Sequence, residues 1–312
     1  MVGSTRFSKR LRLRHAWAVI AMLLLREAAT AQVLAPLDLS AASLDSKIFL
    51  QWHNPGPAID HRIFFRESGG GSWTEFVHQP LEAPGIEVTG LVNSVTYDFR
   101  VSRITGDGES APSEVQGIEA GPLDNPGWCE VIMSTGQSLA MGAYSLPVLS
   151  DTQLYANWML STDRSMLLPL TEPVTGALGS PIGETMTSGF LNSLASSDQG
   201  GGYRVACLRA AGALPYSSLM QGSQMYNELL TDLDSVKRHC LANGRPAIVT
   251  ALTVIHGETD EYQGATAAQY EQYLLDWQSD ISVDVQARTG QSNDVLLMTD
   301  QMSSWMSFGS LI

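Results

Sequence analysis

The stretch VIMSTGQSL, residues 131–139, places a hydroxyl just beyond the end of a short apolar run. Val131 to Met133 predict a buried strand, and Gly136 is the residue type that permits a sharp turn after it. Ser138 follows the turn, where a hydroxyl can be exposed beside backbone N–H groups and act as a nucleophile. An ordinary Gly/Ser turn has the same composition. A nucleophile at Ser138 therefore needs support from elsewhere in the chain.

The residues downstream of this stretch alternate between two periodicities. Apolar runs of strand length cover residues 130–133, 203–208, 247–255 and 294–299, whereas residues 223–241 and 266–287 repeat their apolar positions with a helical period. Strand and helix alternation of this kind predicts an α/β domain with a parallel sheet. We expect this domain to cover residues 128–312.

A second polar loop, HGETD at residues 256–260, follows the apolar run 247–255. Because ligands bind beyond the carboxyl ends of parallel strands, this loop and Ser138 are expected to face one crevice. Three roles fit His256: a metal ligand together with Glu258 and Asp260, a base for Ser138, or an oxyanion donor. The spacing does not choose between them.

The two loops together resemble the SGNH hydrolases, in particular the carbohydrate esterases that include sialate O-acetylesterases. Gly136, Gln137 and Ser138 match the Gly-Gln-Ser nucleophile block of that branch, and residues 256–260 match its Gln-Gly-Glu-Ser-Asp block except at the first and fourth positions. The resemblance implies a three-layer, flavodoxin-like α/β fold and acyl transfer through Ser138. His256 stands where the family has an oxyanion-hole Gln, and an imidazole N–H can also donate to an oxyanion.

The resemblance also assigns supporting roles around the nucleophile. Gly183 is expected to donate a backbone N–H to the oxyanion, with Gly189 as the alternative. The other matched residues are expected to hold the two loops in place: Gly136, Gln137, Gly257, Glu258 and Asp260. No cofactor and no metal is implied.

The family's final block, Asp-x-x-His, which supplies the general base, has no counterpart in this sequence. We therefore expect the α/β domain to be incomplete at its C-terminal end and the chain to hydrolyse esters poorly. The predicted function is that of a carbohydrate O-acetylesterase acting on acetylated polysaccharide. The alternatives are a non-catalytic carbohydrate-binding or adhesion protein derived from such an esterase, and metal-dependent hydrolysis through residues 256–260.

Residues 36–119 have a different pattern, with short alternating segments separated by turn residues, which predicts a β-sandwich. Trp52, Leu91, the Tyr-x-Phe-x-Val run that begins at Tyr97, and the segment 108–113 resemble a fibronectin type III domain. The resemblance implies that Trp52 is a core residue and that the Tyr97 hydroxyl bonds to nearby backbone. We expect a spacer or docking module, and the alternative is a carbohydrate platform at Trp73 or Phe76.

The N-terminal residues 1–31 combine basic residues, an apolar run of ten residues and the small-x-small pattern Ala29-Thr30-Ala31, which predicts a cleaved signal peptide and a secreted or periplasmic protein. Ten apolar residues are too few for a membrane span. Residues 120–127 form a Pro- and Gly-rich linker between the two domains.

The composition excludes some classes of partner. The formal net charge is −14, and cleavage after Ala31 would remove six basic residues and one acidic residue, which leaves about −19. Such a negative charge disfavours binding to nucleic acid and to anionic membranes, because both are themselves negatively charged. The odd number of cysteines, three, allows at most one internal disulfide, and their spacing does not predict a zinc site.

Overall fold

The computed structural model of the chain describes residues 32–122, 127–175, 177–178, 183–198 and 202–300. The predicted signal peptide, residues 123–126 of the linker and residues 301–312 lie outside the described residues. Among the described helices none is both long and apolar enough to cross a membrane.

Residues 37–119 form two antiparallel sheets. One has the strand order β1-β2-β5, and the other has the order β4-β3-β6-β7 with β8 paired to β6. Their inner faces share one apolar core, in which Trp52 and Phe99 are fully buried, so the predicted β-sandwich is confirmed. The strands are β1 (Leu37–Leu44), β2 (Lys47–His53), β3 (Asp60–Glu67), β4 (Thr74–Phe76), β5 (Gly85–Thr89), β6 (Thr96–Thr105), β7 (Gly108–Glu109) and β8 (Ser113–Glu119).

Two features predicted for the sandwich are observed. The Tyr97 hydroxyl accepts a hydrogen bond from the backbone N–H of Val92 at 3.0 Å, which fixes the corner before β6. The indole N–H of Trp52 is bonded to Asn54 Oδ1 at 3.0 Å, so the one polar group of this core residue is satisfied.

The second sheet has the strand order β11-β10-β13-β9-β14-β15, with β12 paired to β13. All its strand pairs are parallel except β10 with β11. The strands are β9 (Cys129–Gly136), β10 (Asn157–Leu160), β11 (Leu167–Pro169), β12 (Ala177–Leu178), β13 (Tyr203–Ala211), β14 (Ala247–Ile255) and β15 (Leu296–Thr299). The central strand β9 therefore has parallel neighbours on both sides.

The helices of this part are α1 (Met186–Ser197), α2 (Gln224–Ala242), α3 (Glu258–Tyr262) and α4 (Ala267–Thr289), with a 3₁₀ turn at Tyr216–Ser218. The helical periods at 223–241 and 266–287 are thus observed as α2 and α4. Ser223 caps α2 by accepting a bond from the Tyr226 N–H, and Thr266 forms a capping box with Gln269 at the start of α4.

Alternate residues of β9 enter two separate apolar cores. Val131 and Met133 pack with residues of α2 and α4, whereas Ile132 packs with Leu191 of α1. Helices thus cover both faces of the sheet, which leaves the carboxyl ends of its strands as the edge where polar loops meet.

Gln51 of β2 connects the sandwich to the second sheet. Its side-chain amide donates to the carbonyl oxygens of Ala247 and Thr289, each at 2.9 Å, and its Oε1 accepts from the Ala247 N–H at 2.7 Å. The backbones also touch nearby, since a Cβ on Gly85 would lie 2.2 Å from the Thr289 oxygen. The expected spacer module is therefore packed directly against the second sheet.

The three cysteines, Cys129, Cys207 and Cys240, are buried free thiols. Cys207 lies inside β13, where its side chain packs as a small buried apolar group.

Candidate functional site

The two predicted loops lie side by side at the carboxyl ends of β9 and β14. Gly136 is paired with Ile255 across these strands, and the N–H of Gln137 donates to the Ile255 carbonyl at 3.0 Å. Gly136 has a φ of 138°, and a Cβ there would lie 2.1 Å from the Ile255 oxygen, so only glycine fits. This contact is what brings residues 137–138 next to residues 256–260.

Ser138 begins a compact turn. Its carbonyl oxygen accepts from the N–H groups of Met141 and Ala143, at 3.2 and 3.0 Å. The N–H groups of Ser138, Leu139 and Ala140 have no acceptor among the described residues. Successive unpaired N–H groups at the start of a turn carry partial positive charge and can bind an anion.

The Ser138 side chain is half-buried, and its hydroxyl has no hydrogen-bond partner within the described part of the chain. The described histidines other than His256 are distant from it in the fold: three lie in the sandwich, and His239 bonds the Arg164 carbonyl from α2. The described residues thus present a serine hydroxyl that is not hydrogen-bonded to a base.

His256 is buried at the end of β14, and both of its ring nitrogens have partners. Nδ1 lies 3.2 Å from the Tyr270 hydroxyl, and Nε2 lies 3.0 Å from the Leu214 carbonyl and 3.3 Å from Asp260 Oδ2. Burial lowers the pKa of His256, and the charge of Asp260 opposes this change. The oxyanion role predicted for His256 would require the ring to exchange one of these partners.

Gln137 and Glu258 join the two loops directly. The Gln137 side-chain amide donates a hydrogen bond to the Glu258 carboxylate, and both residues are buried. Burial raises the pKa of Glu258, and the nearby charge of Asp300 raises it further. The Gln137 Oε1 has no described partner, which leaves a buried acceptor beside the Ser138 turn.

Asp260 holds a different backbone segment. Its two carboxylate oxygens accept from the Tyr216 N–H at 3.1 and 3.0 Å, which ties the 3₁₀ turn after β13 to α3. Gly257 precedes α3 with a φ of 128°, a conformation that favours glycine.

Gly183 packs against the turn that Ser138 begins. A Cβ on Gly183 would lie 2.2 Å from the Ser145 oxygen and 2.6 Å from the Gly142 oxygen, and the next residue, Glu184, donates its N–H to the Ser145 carbonyl at 2.9 Å. The alternative, Gly189, is an exposed residue within α1. Of the two glycines, Gly183 is the one that contacts the turn that Ser138 begins.

An open pocket of about 540 Å³ adjoins this turn, within the size range of small-molecule sites. Its lining includes Leu139, Tyr144, Thr185, Ile255 and Asp300. Asp300 was not among the residues predicted from sequence. The strand-end rule could have identified it from the sequence. Asp300 directly follows β15, as Ser138 and His256 follow the ends of β9 and β14.

A metal centre and a sugar platform find little support in the described residues. They contain no group of three or more His, Cys, Asp or Glu side chains arranged to hold a metal ion.

The guanidinium groups of Arg66 and Arg100 lie over the Trp73 ring, 4.4 and 4.1 Å from its centre. This ring is already covered by cations, which leaves it poorly placed to stack on a sugar.

Comparisons with known proteins find two kinds of similar chain. Protein turtle of Drosophila melanogaster is 28% identical over 104 residues, which amount to 28% of this chain and only 7% of that protein. The fibronectin type III domain of human collagen alpha-1(XX) is 21% identical, with a TM-score of 0.28, and the alignment covers 31% of this chain and 94% of that structure. Fibronectin type III domains are thus among the solved structures to which this chain is similar.

One similar solved structure covers a larger share of the chain. A protein of Arabidopsis thaliana with a solved structure is 14% identical, with a TM-score of 0.42, and the alignment covers 56% of this chain and 88% of that structure. No family model matches the chain. The resemblance to SGNH hydrolases therefore stays a prediction.

Proposed function

We propose that this chain is an exported serine esterase of the SGNH type, which removes acyl groups from carbohydrate esters such as acetylated polysaccharide. The observation that carries the proposal is the Ser138 turn, where a half-buried hydroxyl stands at the end of the central parallel strand beside three unpaired N–H groups. Open parallel sheets bind ligands at this position.

The chemistry is acyl transfer. Ser138 Oγ attacks the ester carbonyl and loses its proton to a base, and the resulting oxyanion is bound by the N–H groups of Ser138 and Leu139. The alkoxide leaves with a proton as the alcohol, and water then hydrolyses the acyl-serine. The Gly183 N–H is the candidate for a further donor, and His256 supports the site through its contacts with Tyr270 and Asp260.

Deprotonation of Ser138 is expected to limit the rate, because the described residues provide no hydrogen-bond partner for its hydroxyl. In serine hydrolases, loss of a triad member leaves roughly 10³–10⁴-fold catalysis over water, far below a working enzyme. We therefore expect residues 32–312 to hydrolyse p-nitrophenyl acetate slowly, with imidazole in solution able to replace the base.

The test compares the wild type with Ser138→Ala across a series of imidazole concentrations. The wild type should show an imidazole-dependent rate above that of Ser138→Ala, and mass spectrometry should detect an acetyl group on Ser138. Ser279→Ala removes an exposed hydroxyl on α4, outside the pocket, and should retain the wild-type rate. Equal rates for the wild type and Ser138→Ala at every imidazole concentration would contradict the esterase proposal.

The second candidate is a non-catalytic carbohydrate-binding protein that retains the crevice of an esterase. It is favoured by the buried His256, whose ring nitrogens are both engaged, and by the unpartnered Ser138 hydroxyl. It predicts that acetylated xylan retards both the wild type and Ser138→Ala equally in affinity electrophoresis, without acetyl release.

A further inference from the structure

Arg103 of β6 is a buried cation in the sandwich, far from the Ser138 site. The residue is only 6% exposed, and its Nε has no partner in the described structure. The other arginines on the strands of this domain, Arg62, Arg66 and Arg100, each pair with a carboxylate. Arg103 forms no ion pair with any described residue.

The neighbours of Arg103 do not compensate its charge. His61 is its cross-strand partner, and burial, opposed by a bond to the Leu81 carbonyl, lowers the pKa of this imidazole. The nearby Asp60 carboxylate accepts from the N–H groups of His61 and Leu81, at 2.8 Å each. A buried charge without a partner is costly, so an anion that pairs with the Arg103 guanidinium would be bound favourably.

Arg103 lines an open pocket of about 430 Å³, which is large enough for a small organic molecule. Gly56 forms part of the wall, and a Cβ there would lie 3.1 Å from an Arg103 terminal nitrogen, so the glycine leaves room at the guanidinium. Val33, Leu34, Pro57 and Ile59 supply apolar walls. A planar guanidinium binds carboxylates through paired N–H groups.

We propose that this pocket, formed by the N-terminal segment, the loop before β3 and the β6–β7 turn, binds a small carboxylate ligand with an apolar body. The carboxylate pairs with Arg103 and the apolar body contacts the walls around Ile59. This binding does not depend on the esterase proposal.

The experiment titrates residues 32–312 with benzoate and with benzamide, its uncharged analogue, by isothermal calorimetry at 0.15 M salt. Benzoate should bind at least tenfold more tightly than benzamide, as expected for a charge-assisted pair. Arg103→Gln should abolish the preference for benzoate, and Arg100→Gln, which removes a surface arginine paired with Glu114, should retain it.

Equal binding of benzoate and benzamide to the wild type, or no binding of either, would overturn the proposal without reliance on any variant. Asp107 also lines the pocket and is exposed on the β6–β7 turn. If benzoate binds only to Asp107→Asn, Asp107 is the partner of Arg103 in solution and the proposal fails.

Discussion

The side-chain amide of Gln137 donates to the carboxylate of Glu258, which lies 121 residues further along the chain. This bond crosses from the loop after β9 to the first turn of α3, and both residues are buried. Burying a carboxylate disfavours its charged form, so the contact that connects the two loops also makes their stability depend on pH.

Glu258→Gln should reduce the loss of stability that accompanies rising pH. The pKa of Glu258 is raised above its ordinary value of 4.5, so between these two values the folded chain binds more protons than the unfolded chain. The free energy of unfolding therefore falls as pH rises from 4.5 through the raised pKa, by about 1.4 kcal/mol for each unit of difference. Urea denaturation at several pH values between 4.5 and 7.5 measures this fall.

The matched control for this prediction is Glu271→Gln, which removes a negative charge from an exposed position of α4. A fall with pH that is equally reduced in both variants would mean that net charge, rather than the buried Glu258, sets the dependence.

Gly136→Ala should destabilise the second sheet by more than about 3 kcal/mol, because the backbone would have to move. Its φ is 138° and the added Cβ would overlap the Ile255 carbonyl oxygen. Gly189→Ala is the opposite case, since this glycine lies within α1 with open space around it, and the change should stabilise by about 0.5–1 kcal/mol. Thermal and urea denaturation of both variants check the prediction. Equal stability of Gly136→Ala and the wild type would contradict the close approach of the two loops.

The sequence predicted the β-sandwich and the position of the two polar loops, because both follow from local periodicity and from the strand-end rule. It did not predict the direction of the His256 side chain, which is set by the Leu214 carbonyl and the Tyr270 hydroxyl. These partners lie 42 and 14 residues away in the chain, and no local pattern encodes such contacts. The sequence also did not predict that Gln51 connects the two domains. Its partners Ala247 and Thr289 belong to the other domain, so this contact too has no local pattern.

Gln51→Ala should destabilise the chain by roughly 2–5 kcal/mol, since each buried polar group left without a partner costs about 1–3 kcal/mol. The variant would leave the Ala247 N–H and the carbonyl oxygens of Ala247 and Thr289 without the amide that bonds them. Limited proteolysis should cleave the linker faster in this variant, because the contact between sandwich and sheet is weakened. Gln116→Ala, at an exposed position of β8, should change stability by less than about 0.5 kcal/mol. Comparable effects of the two substitutions would contradict a stabilising role for the Gln51 contacts.

Lys237→Met should remove a gain of stability that the wild type shows between pH 8 and 10.5. Lys237 is buried on α2, where its amine donates to the Arg288 carbonyl, and burial lowers its pKa from 10.5 to about 8. Between these values the unfolded chain holds a proton that the folded chain lacks, so the free energy of unfolding rises with pH, by up to roughly 3 kcal/mol.

Other groups titrate in the same range and act in the opposite direction. Burial raises the pKa of Cys129 and Cys207, so their unfolded thiols ionise first and stability falls as pH rises. The informative quantity is therefore the difference in the free energy of unfolding between wild type and Lys237→Met, measured by urea denaturation at pH 7, 8, 9 and 9.5. The free energy of unfolding of the wild type should increase relative to that of Lys237→Met with each step above pH 8. Lys47→Met removes the partly exposed amine that pairs with Glu87 and serves as the control. A constant difference for Lys237→Met across the range would show that this amine is not desolvated in the folded chain.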